Sequence, residues 1–146
     1  MLNQTETEKI DELLDLFSKD NPTESIQQIS YLIFLKQLGK NDEVNIRNAK
    51  IKGEKYSSMF NNQENCKWSN WNNMQGEEMI KHVRDIVFPF LRKLDESQTS
   101  YAKYLNNANF AISDGKKLMR AIKIINSDLF ADKDKIGEIY HHLLSN

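Results

Sequence analysis

The stretch SIQQISYLIFLKQLGK, residues 25–40, carries five apolar residues in a row, Tyr31-Leu32-Ile33-Phe34-Leu35. Its flanks are helical signals. In NPTE, Asn21 can cap, Pro22 suits the first helical position and Glu24 falls at the third, while Gly39 is placed to close the helix. A helix advances about 100° per residue, so five successive apolar side chains cover every side of the cylinder. Ile26, Ile29, Leu32, Ile33 and Leu38 form one face; Tyr31, Phe34 and Leu35 fill the others. Such a helix must be surrounded, by its own domain or by a partner.

The rest of the chain can supply that cover. It has 146 residues, of which 39% are apolar and 28% charged, enough for one folded, soluble domain with a real core. Only 5 glycines and 2 prolines are present. That scarcity argues against a many-stranded sandwich or barrel and for helices joined by short loops. The formal charge of −1 makes no whole-molecule case for nucleic acid, but leaves room for a local basic face. Cys66 is the single cysteine, which excludes an internal disulfide and fits a reducing cytoplasm. The acidic start, MLNQTETEKIDELLDLF, lacks the basic and apolar regions of a signal peptide, and no apolar run approaches the length of a membrane span.

The periodicity predicts an all-α fold, an irregular bundle of five to seven helices within a single domain, 1–146. Two helices, about 22–38 and 77–94, are expected at its centre. Before them, a first helix is predicted from Thr5 to about Ser18. Thr5 and Glu8 stand at capping-box spacing, and Ile10, Leu13, Leu14 and Phe17 form its stripe. Residues 40–60 read as a partly helical, solvent-facing segment. The Asn-rich 61–76 stretch reads as a loop, with Trp68 and Trp71 on a short helical turn, plugging one end of the core. A base-stacking platform is the sharper alternative for that pair. In 77–94, Met79, Val83, Ile86, Phe90 and Leu94 descend one side, with Ile80, Val87 and Leu91 beside them. Pro89 costs roughly 3 kcal/mol in a straight helix, so a kink or break is expected around Val87–Pro89. Residues 101–112 predict a short helix and a buried connection holding Tyr101, Tyr104, Leu105, Phe110 and Ile112. Ser113 or Asp114 then caps a helix to about Asn126, with Leu118, Ile122 and Ile125 inward. A last helix is expected from Asp132 or Asp134, with Ile136, Ile139, Tyr140 and Leu143 as its stripe. It reaches Asn146 without a glycine cap, which suggests a longer parent chain.

No catalytic residue and no metal ligand is assignable from the sequence. His141 and His142 are adjacent, so on a helix they diverge and cannot grip one ion together; His82 has no ligand partner at helical spacing. Glycine-rich phosphate loops and a nucleophile elbow are absent. Nothing near Cys66 has the pattern of a thiol enzyme. One local charge feature stands out: Lys103, Lys116, Lys117, Arg120 and Lys123 face only Asp114 across residues 103–123. Lys116, Arg120 and Lys123 share the side opposite Leu118 and Ile122. Lys116, Lys117, Arg120 and Lys123 are therefore the DNA-contact candidates, set against the plain reading of a solvated face.

The ordered landmarks are ISYLIFLKQL, KWSNW, GEEMIKHVRDIVFPFLRKL, YAKYLNNANFAISDGKKLMRAI and DKDKIGEIYHHLLSN. Their succession resembles the amino-terminal helical domain of the modification (methyltransferase) subunit of type I restriction-modification systems, over nearly the whole chain. The Asn-rich 61–75 segment departs from the usual pattern. The resemblance implies a parent enzyme that methylates adenine N6 in DNA with S-adenosylmethionine. It implies, for this part, a role in enclosing DNA and in assembly with a specificity subunit, a second modification subunit and a restriction subunit. The glycine-rich cofactor loop and the Pro-Pro-containing catalytic motif of that family have no counterpart here, since Pro22 and Pro89 are the only prolines. The expected fragment thus ends before the catalytic domain, needs no cofactor itself and is inactive alone. A free-standing helical protein-interaction module is the alternative from another class. A helix-turn-helix DNA binder fits less well, having neither a short turn beside a basic recognition face nor a basic net charge.

Overall fold

The computed structural model describes residues 2–17, 22–99, 101–127, 130 and 138. Every regular element among them is helical, as expected. In chain order these are α1 (Gln4–Leu16), α2 (Pro22–Lys52), a 3-10 turn (Glu64–Cys66), α3 (Trp68–Trp71), α4 (Gly76–His82), a π segment (Val83–Val87), α5 (Phe88–Arg92), α6 (Ala102–Leu105) and α7 (Gly115–Ile125). The chain divides into two compact units, one of Met1–Ile33 with Ile112–Asn146, the other of Phe34–Ala111. The α2 helix contributes to both. The expected Asn21 cap and the last helix, with Ile136, Ile139, Tyr140 and Leu143, lie outside the described residues.

In the first unit α1 packs on α7. The capping box of α1 is real but sits two residues earlier than expected. The Asn3 side chain accepts from the Glu6 N–H at 2.8 Å, and the Asn3 N–H donates to the Glu6 carboxylate at 3.0 Å. Asparagine is the stronger cap, so Asn3 displaces Thr5 from that role. Ile10 and Leu13 are fully buried. The α7 cap is as expected: Asp114 Oδ1 accepts from the N–H groups of Lys116 (2.9 Å) and Lys117 (3.3 Å). Leu118, Ala121, Ile122, Ile124 and Ile125 are buried along its inner side.

The apolar run of α2 is covered: Tyr31, Leu32, Ile33 and Leu35 are all at most 3% exposed, and Phe34 is half-buried with its ring edge-on to Tyr101 at 5.7 Å. The predicted end at Gly39 is corrected. The helix runs on to Lys52, 31 residues in all. Gly39 is an interior glycine: a Cβ there would lie 3.5 Å from Lys67 Cγ and 3.6 Å from Trp68 Cβ. The stop is at Gly53, with φ 67°. Its N–H bonds to the Lys50 carbonyl at 3.3 Å, and the Glu54 N–H bonds to the Ala49 carbonyl at 2.9 Å. That pair of bonds is the Schellman motif, and the left-handed φ is why the position takes glycine.

The predicted 77–94 helix is interrupted just before Pro89, as expected. Pro89 offers no N–H and crowds the preceding turn. The chain widens there into π geometry, with the Phe88 N–H reaching back to the Val83 carbonyl. The extra residue turns Ile86 outward, to 39% exposed, which corrects its placement on the inner stripe; Val83 and Val87 remain fully buried. Phe88 and Phe110 pack at 5.1 Å, and the Arg92 guanidinium ties the 101–112 connection down by donating to the Ala108 carbonyl at 3.0 Å. Leu105, Phe110 and Ile112 are buried as expected, but Tyr101 and Tyr104 stand 60% and 50% exposed. The two tyrosines, three residues apart, share the outer side of the turn whose inner side carries Ala102 and Leu105.

Candidate nucleic-acid interface

The α7 helix presents its candidates as its pattern requires. Burying Leu118 and Ile122 turns Lys116, Lys117, Arg120 and Lys123 to solvent, and all four are exposed. They do not form one uniform set. The Arg120 guanidinium grips the Glu12 carboxylate of α1 in a two-pronged pair, Nε to Oε2 and Nη2 to Oε1. This hydrogen bond holds the Glu12 carboxyl below its usual range. The depressed pKa means that the pair adds stability above the unfolded carboxylate's pKa, and loses it as pH falls through the folded one. Lys116 and Lys117 occupy the first turn, where the helix's positive end adds to their charge. The backbone N–H groups of Lys116 and Lys117 are already taken by the Asp114 carboxylate. Three lysines with an outward-facing charge, and an arginine engaged on α1, are what this face offers to phosphates.

In the second unit, the polar side chains meet in a cleft of about 350 Å³ around Asp42. Asp42 is buried, and its carboxylate accepts from the Tyr56 hydroxyl at 2.7 Å, the Ser58 hydroxyl at 2.9 Å and Lys67 Nζ at 3.1 Å. Lys67 also lies 5.9 Å over the Phe60 ring and 3.9 Å from Glu43. Burial, reinforced by Asp42, raises the Tyr56 pKa. Asp42 thus clasps the segment after α2 and the Trp-bearing turn. It could not be singled out in the sequence, where it reads as one more acid in a charged helix.

The base-stacking reading of the tryptophans is overturned. Trp68 and Trp71 are 5% and 0% exposed, edge to face at 5.0 Å, and Trp71 Nε1 donates to the Cys66 carbonyl at 3.1 Å. No ring face is open to a base; they plug the core, as the simpler reading had it. Burial pushes the Cys66 thiol up, away from the thiolate a nucleophile needs. His82 Nε2 lies 2.6 Å from the Asn65 carbonyl. Among the described residues no group of three or more His, Cys, Asp or Glu is placed to hold a metal. No helix of the described residues is long and apolar enough to cross a membrane.

The described residues therefore define an all-helical fold with an exposed basic helix face on α7. Residues 7–125 match the family described as the HsdM N-terminal domain, and the chain belongs to that family. It is the amino-terminal domain of a type I modification subunit, as the ordered landmarks imply. It is also similar in fold, with a TM-score of 0.72 at 22% identity, to a chain solved in work titled "Structural basis underlying complex assembly and conformational transition of the type I R-M system". That similarity covers 97% of this chain and 30% of the other, so the chain spans under a third of that relative's length. No curated protein matched the sequence.

Proposed function

We propose that this domain helps a site-specific DNA N6-adenine methyltransferase enclose its DNA and assemble with specificity, restriction and second modification subunits. The family match over residues 7–125 carries the reading. The exposed lysines of α7 and a structural relative from a study of complex assembly support it. S-adenosylmethionine would serve the parent enzyme. The residues described here do not fit that cofactor: they form no strand followed by a glycine-rich loop, Gly39 packs close to Trp68, and Gly53 ends a helix. No step of the methyl transfer is assigned to them.

Titrating a duplex DNA into the protein across a salt series tests the DNA half. Neutralising Lys116, Lys117 and Lys123 to Gln should weaken binding and flatten the log–log salt slope by about 0.9 per lost phosphate contact. Glu12→Gln should strengthen binding by releasing Arg120. Unchanged slopes would return the face to plain solvation. Calorimetry should show no binding of S-adenosylmethionine by this chain, and stoichiometric binding would refute the division of labour.

A further inference from the structure

The C-terminal half of α2 is costly to build if nothing uses it. Residues 43–52 are exposed except for the half-buried Ile46 and Ala49, yet the helix holds to a Schellman stop. The segment beyond is tied back by Tyr56 and Ser58 to Asp42. The result is a helical arm with one side tied to its unit through Asp42.

Its other side has a pattern. Lys36, Lys40, Val44, Arg47 and Ile51 follow one another at steps of four, four, three and four residues, one continuous helix face. Ile51 lies nine residues from Asp42, about two and a half turns, and so points directly away from the clasp. Ile51 is 78% exposed and Val44 37%. Three cations and two apolar residues share this face, with Arg47 between Val44 and Ile51. Lys50 and Lys52 suit the negative end of the helix dipole, but Lys40 and Arg47 lie too far from that end to be explained so.

We propose that this outward face of α2 docks an acidic amphipathic segment of another protein chain, with Val44 and Ile51 as apolar anchors and Lys40 and Arg47 pairing with its carboxylates. Two apolar side chains seven residues apart lie two turns apart on one helix face, where the apolar side of a docked segment can meet both. They favour a protein partner over a phosphate backbone, which has nothing to offer Ile51. Burial, and then the like charge of Lys40, lower the Lys36 pKa, so an anionic partner would relieve repulsion here. Glu43 lies 3.9 Å from Lys67. The inference rests on the assembly part of the proposed function but concerns a face separate from α7, so the DNA titration can fail without touching it.

The test places a photo-crosslinking residue at position 44, 51 or, as a control about 100° round the helix, 52, in the intact protein within its own cells. Crosslinked peptides are then sequenced by mass spectrometry. Positions 44 and 51 should capture one protein segment carrying at least two Asp or Glu around an apolar residue. Arg47→Glu should cut that yield at least five-fold, Arg47→Gln less, both with unchanged melting temperature. Capture of nucleic acid, of a segment without acids, equally from position 52, or of nothing would overturn the proposal, as would indifference to Arg47→Glu.

Discussion

The two halves of α2 are one helix by backbone and two by environment. Over residues 25–38 apolar side chains face every direction and almost all are buried; from 43 to 52 nearly every side chain meets water. The first half is stabilised by burial. The second has little burial and persists through its ends: it is continuous with a buried helix, stopped by Gly53, and clasped at Asp42. Hydrophobic burial can order a helix from the middle, whereas an exposed segment must be held by caps and tethers.

The sharpest way to break the contrast is to truncate equal aliphatic groups on either side of it. Leu32→Ala empties a fully buried position and should cost about 4 kcal/mol in denaturant unfolding. Asp42→Ala comes next, at about 3 kcal/mol, because it leaves Lys67 without its buried carboxylate and releases Tyr56 and Ser58. Amide exchange should then speed up in 43–58 before it does in 25–38; equal acceleration of both would deny that the clasp acts locally. The two glycines should split in sign. Gly53→Ala forces a side chain into left-handed φ and should cost about 1 kcal/mol. Gly39→Ala adds a methyl at ordinary contact distance from Lys67 and Trp68, and should stabilise by about 0.5–1 kcal/mol. The smallest effect belongs to Ile51→Ser, within about 0.5 kcal/mol in the isolated protein. A larger loss there would mean that Ile51 serves the fold and not a partner.

Much of the fold was legible. The Asp114 cap, the tryptophan plug and a disturbance before Pro89 each follow from local chemistry, and the structure has them. The misses have tertiary causes. Gly39 was a stop by propensity, but it sits in ordinary contact with Lys67 and Trp68 inside the helix, and the left-handed backbone that ends a helix comes only at Gly53. Ile86 belonged to the inner stripe at regular helical period, and the π segment changed the period beneath it. The basic α7 face was legible as a row of charges. That Glu12 claims Arg120 was not, because the two are 108 residues apart.

The sequence by itself determined that the chain is helical, where α7 begins, that residues 25–38 must be enclosed, and which family it belongs to by the order of its landmarks. These are matters of near neighbours, apolar period and capping, each decided within a turn or two. Only the tertiary structure decided how far α2 extends, that Asp42 is a clasp, that Arg120 is engaged, and that Val44 and Ile51 look outward. Those depend on groups far apart in the chain being packed against one another, and no local periodicity encodes that.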